Sequence, residues 1–104
     1  MSNETDQIKV ENNESEQRFE AHLKGYVAVA QYHRQGQEII FTHTEVPVEL
    51  EGQGVASVLV RTALDTAREQ QLEVVPLCPF VAGYIRRHHE YLDIVRPEYK
   101  ARLQ

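Results

Sequence analysis

The chain has 104 residues, of which 41% are hydrophobic and 26% are charged, and its formal net charge is −5. This length suits one domain with a real core, because a globule of this size buries about two-thirds of its unfolded surface. The acidic balance leaves no surplus of positive charge to neutralise phosphates, which argues against a nucleic-acid partner. A single cysteine excludes an internal disulfide and a cysteine-based zinc cage.

The first residues are polar and do not have the pattern of a signal peptide, and no apolar run is long enough to span a bilayer. We therefore expect a soluble, cytoplasmic protein without a membrane partner. Residues 1–7 are expected to form a disordered tail. A single domain is expected over residues 8–104.

The first half of the chain predicts β-strands. Apolar residues alternate with polar ones in short runs, which predicts strands at 8–10, 18–23, 26–32 and 38–46. Turn residues separate them at 12–15, 24–25 and 34–37, and Pro47 ends the last strand. Connections this short join only antiparallel neighbours, so these strands should form a meander.

The second half changes to a helical period. Val55, Leu59, Ala63 and Ala67 recur every fourth residue, which predicts an amphipathic helix from about Gly54 to about Gln70. A short strand at 72–75 follows, and a second helix should begin at Pro79, since proline is favoured in a first turn. Strand, helix and strand over 38–75 form a βαβ unit. The sequence thus predicts an α+β fold with a mixed, mostly antiparallel sheet of about five strands and two main helices.

The link between the long strand and the first helix is the first candidate site. No Ser, Thr, Asp or Asn caps the helix start, and Gly52 and Gly54 allow the backbone to turn tightly and approach a ligand closely. Free amides at the positive end of the helix dipole favour an anion such as a phosphate or pyrophosphate. Taken alone, a Gly-x-Gly before a helix is more often a plain turn.

Residues 51–56, Glu-Gly-Gln-Gly-Val-Ala, resemble the pyrophosphate loop of the GNAT acyltransferase superfamily, whose pattern is Gln/Arg-x-x-Gly-x-Gly/Ala. Gly54 and Ala56 match this pattern, whereas Glu51 departs from it. The flanks are also similar to small single-domain GNAT-like proteins that contain an N-acetyltransferase domain, in His-Thr-Glu-Val-Pro at 43–47 and Pro-Leu-Cys-Pro-Phe-Val at 76–81. The resemblance covers roughly residues 8–95.

This resemblance implies a truncated GNAT fold that binds acetyl-CoA, without a metal, in a V-shaped gap between the long strand and the strand after the first helix. Pro47 and Pro76, which remove ladder donors, would help the strands to splay. The pantetheine arm would lie along the strand at 42–46, and the pyrophosphate would rest on main-chain amides. The residues implied in cofactor binding are Thr44, Glu45, Val46, Gly52, Gln53, Gly54, Val55 and Ala56.

The implied activity is transfer of an acetyl group to an unidentified amine, which could belong to a protein or peptide. Full-size relatives insert two helices between their first strands, but the interval at 12–17 is too short for a helix, so the acceptor side should be open. The alternative function is a CoA or acyl-CoA sensor, or an interaction module, without turnover.

Cys78 is the first catalytic candidate, at the expected N-cap of the second helix. The helix dipole favours a thiolate there, which could accept the acetyl group, or the thiol could return a proton to the CoA thiolate. The sequence leaves direct transfer and an acetyl-cysteine route open, and a buried structural cysteine is the alternative. Larger relatives generally use a tyrosine as the acid, for which Tyr84 and Tyr91 are available.

His43 is the second catalytic candidate, as the base that accepts the proton of the amine, with Glu45 or Glu49 as substitutes. Strand alternation predicts that His43 shares a face with Ile39, Phe41 and Glu45. A histidine hydrogen-bonded on a sheet face is the alternative. The basic pair Arg86 and Arg87 could hold the phosphates at the adenosine end of CoA, or it could form a solvated helix face.

Overall fold

Five strands form one sheet in which the spatial order of the strands follows their order in the chain. The computed structural model describes residues 8–104, so the tail expected at 1–7 lies outside the described residues. The first four strands pair antiparallel, and the fourth and fifth pair parallel, as the sequence predicted. The strands are β1 (Lys9–Asn13), β2 (Arg18–Leu23), β3 (Tyr26–Gln35), β4 (Glu38–Glu45) and β5 (Glu73–Pro76).

Helix α1 (Val55–Glu69) packs its apolar stripe on the inward face of the sheet. The predicted helical period is confirmed, because Leu59, Leu64 and the other residues of the stripe are fully buried. Small residues at the centre of the sheet allow the helix to lie close to it. These are Ala21, Ala28 and Ala30, each with no accessible surface.

The chain after β5 forms helix α2 (Pro79–Arg87), a 3₁₀ helix (His89–Ile94) and helix α3 (Pro97–Leu103). The start of α2 at proline is confirmed, whereas the sequence analysis made no prediction for the last two helices. Val95 forms a parallel bridge with Val74, and the amide of Arg96 donates to the Val74 carbonyl at 2.9 Å. The end of the chain is therefore attached to the free edge of β5.

Strand β1 extends further than predicted, through Asn12 and Asn13, for which the sequence predicts a turn. Asn12 accepts a hydrogen bond from the Tyr32 hydroxyl at 2.7 Å, and the Asn13 amide donates to Glu20 at 3.0 Å. These cross-strand partners satisfy two side chains that would otherwise favour a turn. The turn is displaced to the residues after Asn13.

Strand β4 contains a β-bulge at Thr42. Gln31 of β3 pairs with His43, and the next residue, Tyr32, pairs with Phe41, so Thr42 has no partner of its own. One extra residue reverses the alternation of side chains beyond it. The face assignment of every residue after Thr42 therefore differs from a regular strand.

The prediction that His43 shares a face with Ile39 and Phe41 is wrong because of this bulge. Ile39 and Phe41 are buried on the inward face, and beyond the bulge the inward residue is Thr44, which pairs with the buried Ala30. His43 and Glu45 both lie on the opposite face of the sheet. Only the prediction that these two residues share a face is therefore confirmed.

The face of the sheet opposite α1 is open in β2, β3 and β4. Every side chain on this face of the three strands keeps part of its surface accessible. The polar members of the face include Arg18, Glu20, Gln31, His43 and Glu45. This face of the three strands is thus uncovered in the described residues.

Candidate functional site

The loop before α1 has the geometry that the sequence predicted. Gly52 and Gly54 both adopt left-handed backbone conformations, with φ of 79° and 76°. Gly54 is the N-cap of α1, and no side chain among residues 8–104 caps this end. The first amides of α1 are therefore available to an anionic ligand.

The side chain of Gln53 supports the loop from behind. Its amide nitrogen donates to the Glu49 carbonyl at 2.9 Å, which ties the glycine loop to the 3₁₀ helix Val48–Leu50. The side-chain oxygen of Gln53 is buried and has no hydrogen-bond partner among the described residues.

The parallel ladder of β4 and β5 ends near the position where the sequence predicts the V-shaped gap. Their parallel ladder ends with the pair Phe41 and Pro76, while β4 continues to Glu45. One further bond closes the vertex, since the Cys78 amide donates to the Phe41 carbonyl at 2.9 Å. Beyond this vertex, β4 extends past the end of its parallel partner.

Cys78 lies at this vertex and is the N-cap residue of α2, as predicted. Its side chain is buried, with 2% of the residue exposed. The thiol sulfur lies 3.2 Å from the Thr44 hydroxyl, which the bulge turns inward. The sequence analysis assigned Thr44 to cofactor binding through its main chain and missed this contact, because nothing local pairs two residues so far apart in the chain.

A cavity of about 330 Å³ lies between the end of β4, the glycine loop and the first turn of α2. Small-molecule sites are typically about 300–1,000 Å³. The cavity collects five residues of the predicted cofactor site and adds the ring of Phe80, a 37% exposed residue that the sequence analysis did not single out. Its lining includes Val46, Gly52, Gly54, Val55, Ala56 and Phe80.

The two arginines at the end of α2 point in different directions. The Arg86 guanidinium donates to the Arg102 carbonyl at 3.2 Å and lines a separate cavity of about 300 Å³ between α2 and α3. Arg87 lies over Gly83, because a Cβ at Gly83 would be 3.6 Å from its guanidinium. The structure therefore does not bring the two arginines together.

The two tyrosines named as alternative acids belong to the core. The Tyr91 hydroxyl donates to Asp65 at 2.7 Å, and burial together with this carboxylate raises the pKa of Tyr91 well above its usual value. The Tyr84 ring stacks on His88 with centroids 4.1 Å apart, and burial raises the pKa of Tyr84. Neither ring lines the cavity at the glycine loop.

His43 and Glu45 lie together on the open face of the sheet. The His43 Nε2 is 3.8 Å from a Glu45 carboxylate oxygen, and both side chains are largely exposed. The main chain between them carries Thr44, so the base candidate and Cys78 lie on opposite sides of the same strand.

A parallel strand pair that ends beside a glycine loop and an uncapped helix is consistent with the predicted acyltransferase domain. The comparisons agree. A family model described as GCN5-related N-acetyl-transferase matches residues 18–94. The chain belongs to the GCN5-related N-acetyltransferase family, and its general role is that of an acetyltransferase domain.

Relatives of similar length include Protein NATD1 of Mus musculus, which is 32% identical to this chain over 95 residues. The match covers 86% of this chain and 86% of the relative. Protein NATD1 of Homo sapiens is also 32% identical over 95 residues, with 86% of this chain and 84% of the relative covered. The NMR solution structure of a GCN5-like candidate N-acetyltransferase from Staphylococcus aureus superposes with a TM-score of 0.66 and 27% identity. That match covers 92% of this chain and 91% of the other, so the truncated GNAT-like fold is confirmed.

In residues 8–104, no group of three or more His, Cys, Asp or Glu side chains is placed to hold a metal ion. Within the same part of the chain, no helix combines the length and apolar character needed to cross a membrane.

Proposed function

We propose that the protein transfers an acetyl group from acetyl-CoA to an amine, and that it acts in the cytoplasm. The observation that carries this proposal is the cavity that joins the end of β4, the glycine loop and Phe80, next to the vertex that holds Cys78. Membership of the family accounts for the general acetyltransferase role. The geometry of this cavity supports acetyl-CoA as the proposed acetyl donor.

The chain offers a distinct group for each part of the donor. The amides from Gly52 to Ala56 suit the pyrophosphate, because the uncapped helix end supplies donors and a positive dipole. The main chain at Thr44–Val46 suits the pantetheine arm, because β4 runs past the end of its ladder with β5. Arg86 turns toward α3, and both Arg86 and Arg87 remain predicted phosphate ligands.

Cys78 and Thr44 are the proposed groups for the sulfur chemistry of the transfer. When the amine nitrogen bonds to the acetyl carbon and the carbon–sulfur bond breaks, the CoA sulfur leaves as a thiolate that needs a proton. The Cys78 thiol, 3.2 Å from the Thr44 hydroxyl, can supply this proton or accept the acetyl group first. His43, on the other side of β4, is the proposed acceptor of the proton that the amine loses.

A CoA sensor without turnover is the second candidate, and the burial of Cys78 favours it. A thiol that is 2% exposed in the free protein cannot react until a ligand or a local opening uncovers it. The two candidates make opposite predictions about the protein after contact with acetyl-CoA.

The test combines calorimetric titration with CoA and intact-protein mass spectrometry after incubation with acetyl-CoA, on the wild type and on Cys78→Ala. An acetyltransferase that uses acetyl-cysteine binds CoA and gains one acetyl mass, which Cys78→Ala loses while it still binds CoA. Binding with amine acetylation but no adduct supports direct transfer. Binding without an adduct and without acetylation of any amine identifies the sensor, and absence of binding refutes the proposed function.

A further inference from the structure

The cavity between α2 and α3 is separate from the cavity at the glycine loop. Its volume is about 300 Å³, which is at the lower end of the range of small-molecule sites. The two cavities share no lining residue within the described part of the chain. The lining of the cavity between the helices includes Pro79, Ala82 and Arg86 of α2 and Tyr99, Arg102 and Leu103 of α3.

Helical spacing and the packing of α3 against α2 build this cavity. The α2 residues at 79, 82 and 86 share one face of the helix, because residues three, four and seven positions apart lie on the same side. The bond from Arg86 Nε to the Arg102 carbonyl, at 3.2 Å, joins the two helices at their C-terminal ends. The family model matches the chain only as far as residue 94, so the α3 side of the cavity lies outside the matched part.

Two guanidinium groups in the lining give the cavity a positive charge. Arg86 uses only Nε in its bond to the Arg102 carbonyl, and the Arg102 guanidinium lies 5.8 Å from the centroid of the Tyr99 ring. Neither arginine has a carboxylate partner in the described part of the chain, whereas Arg68 is paired with Asp93. No Asp or Glu is among the described residues that line the cavity. Both charges are therefore available to an anionic ligand.

The rest of the lining is mainly apolar. Leu77 contributes a side chain that is 55% exposed, and Ala82 and Leu103 contribute buried ones. The Tyr99 ring adds an aromatic surface. A guanidinium forms a planar, bidentate pair with a carboxylate, and removal of the exposed apolar surface from water favours a ligand that covers it. The lining thus suits a molecule that combines one carboxylate with an apolar body.

We propose that the cavity between α2 and α3 is a second ligand site, which binds a small organic acid with an apolar body, such as an arylalkanoic acid. Arg86 and Arg102 supply the positive charge for the carboxylate, and Leu77 and Tyr99 contact the apolar body. The site does not depend on the proposed function, because CoA would occupy the other cavity. Arg86 is also a predicted CoA phosphate ligand, so the test keeps the two roles apart.

The test uses phenylpropionate as the probe. Amide NMR spectra of the nitrogen-labelled protein are recorded during titration at constant pH and ionic strength. Saturable shifts are expected at Leu77, Ala82, Tyr99 and Arg102, and none at residues 52–56. Phenylpropanol, which has the same ring and chain without the charge, and inorganic phosphate, which has the charge without the apolar body, should each fail to saturate these shifts.

Two pairs of variants separate charge from shape. Arg102→Gln should weaken phenylpropionate binding roughly 2- to 5-fold, the range expected when an exposed ion pair is lost. Lys100→Gln is its control, because it removes the same charge from the same helix, but Lys100 does not line the cavity and its charge acts on Asp93. Leu77→Glu should abolish binding, since it places a carboxylate beside the arginines. Leu77→Gln, of equal size and without charge, should retain binding, and neither change enters the core.

Each contrary result has a distinct meaning. Equal affinity for the acid and the alcohol refutes the role of the arginines, and equal affinity for the acid and phosphate refutes the apolar body. Equal effects of Arg102→Gln and Lys100→Gln, or of the two Leu77 variants, refute the site.

A repeat of the titration on protein saturated with CoA distinguishes this inference from the proposed function. Unchanged affinity for phenylpropionate is expected. If CoA itself shifts Tyr99 and Arg102 and blocks the acid, the cavity belongs to the CoA site and the inference is overturned. If CoA does not bind at all, the proposed function is refuted, whereas saturation by phenylpropionate still supports the second site.

Discussion

The substitution Gly54→Ala separates the backbone role of the glycine loop from its role in binding. Gly54 has φ of 76° and ψ of 10°, and a Cβ at this position would meet no atom within 4 Å. The cost of the methyl group in the free protein is therefore conformational only. For alanine in the left-handed region it is about 1–2 kcal/mol.

Gly25→Ala is a matched control for this cost. Gly25 lies in the turn between β2 and β3, has φ of 82°, and likewise leaves open space around a Cβ. Urea unfolding should show the same loss of stability in both variants. In thermal melts, each kcal/mol lowers the midpoint by about 4–8 °C for a domain of this size.

Affinity for CoA should distinguish the two variants. The space that is open at Gly54 in the free protein is the space that the pyrophosphate would fill, so a methyl group there should weaken CoA at least about 10-fold, or 1.4 kcal/mol. Gly25→Ala should bind CoA as the wild type does, as measured by calorimetry. Unchanged CoA affinity in Gly54→Ala, together with the expected loss of stability, would refute the assignment of this loop.

Two further predictions concern stability. Leu64→Ala should lower the free energy of unfolding by about 2–5 kcal/mol, because Leu64 is fully buried, whereas Leu77→Ala, at a 55% exposed residue, should change it by less than about 0.5 kcal/mol. Glu20→Gln should cost about 1 kcal/mol at neutral pH, since the 12% exposed Glu20 side chain accepts hydrogen bonds from Arg18 and Asn13. The Arg18 hydrogen bond lowers the pKa of Glu20 in the folded state, so this stabilisation is present above the unfolded carboxyl pKa of about 4.3 and is lost as pH falls through the lower folded value.

Urea unfolding of the wild type and the variants measures the free energy of unfolding and checks both predictions. For Glu20→Gln the measurement is repeated over a pH series. Equal losses in Leu64→Ala and Leu77→Ala would contradict the placement of the core. A difference between wild type and Glu20→Gln that grows in acid would contradict the sign of the pKa change.

Much of the fold could be predicted because its signals are local. The spacing of Leu59 and Ala63 defines a buried helical stripe, and short connections permit only antiparallel pairing of the first strands. The uncapped start at Gly54 is equally local, since it depends on which residues stand next to the helix. The candidate donor site follows from these features and from the resemblance of the loop.

The C-terminal segment and the two arginines could not be placed in this way. Val95 pairs with Val74, and Arg68 of α1 holds Asp93 at 2.6 Å, but neither contact leaves a repeating pattern in the sequence. The different directions of Arg86 and Arg87 depend on where α3 packs against α2.

The side of the sheet on which His43 lies shows what the sequence alone determines and what only the tertiary structure decides. By itself, the sequence determined that a strand runs through His43 and that a glycine loop and a helix follow it. Only the pairing of β4 with β3 decided that Thr42 has no partner, and hence that Thr44 faces Cys78 while His43 and Glu45 lie on the open face of the sheet. A strand's period can be read from one segment, whereas a bulge depends on which register of two strands buries both apolar faces best.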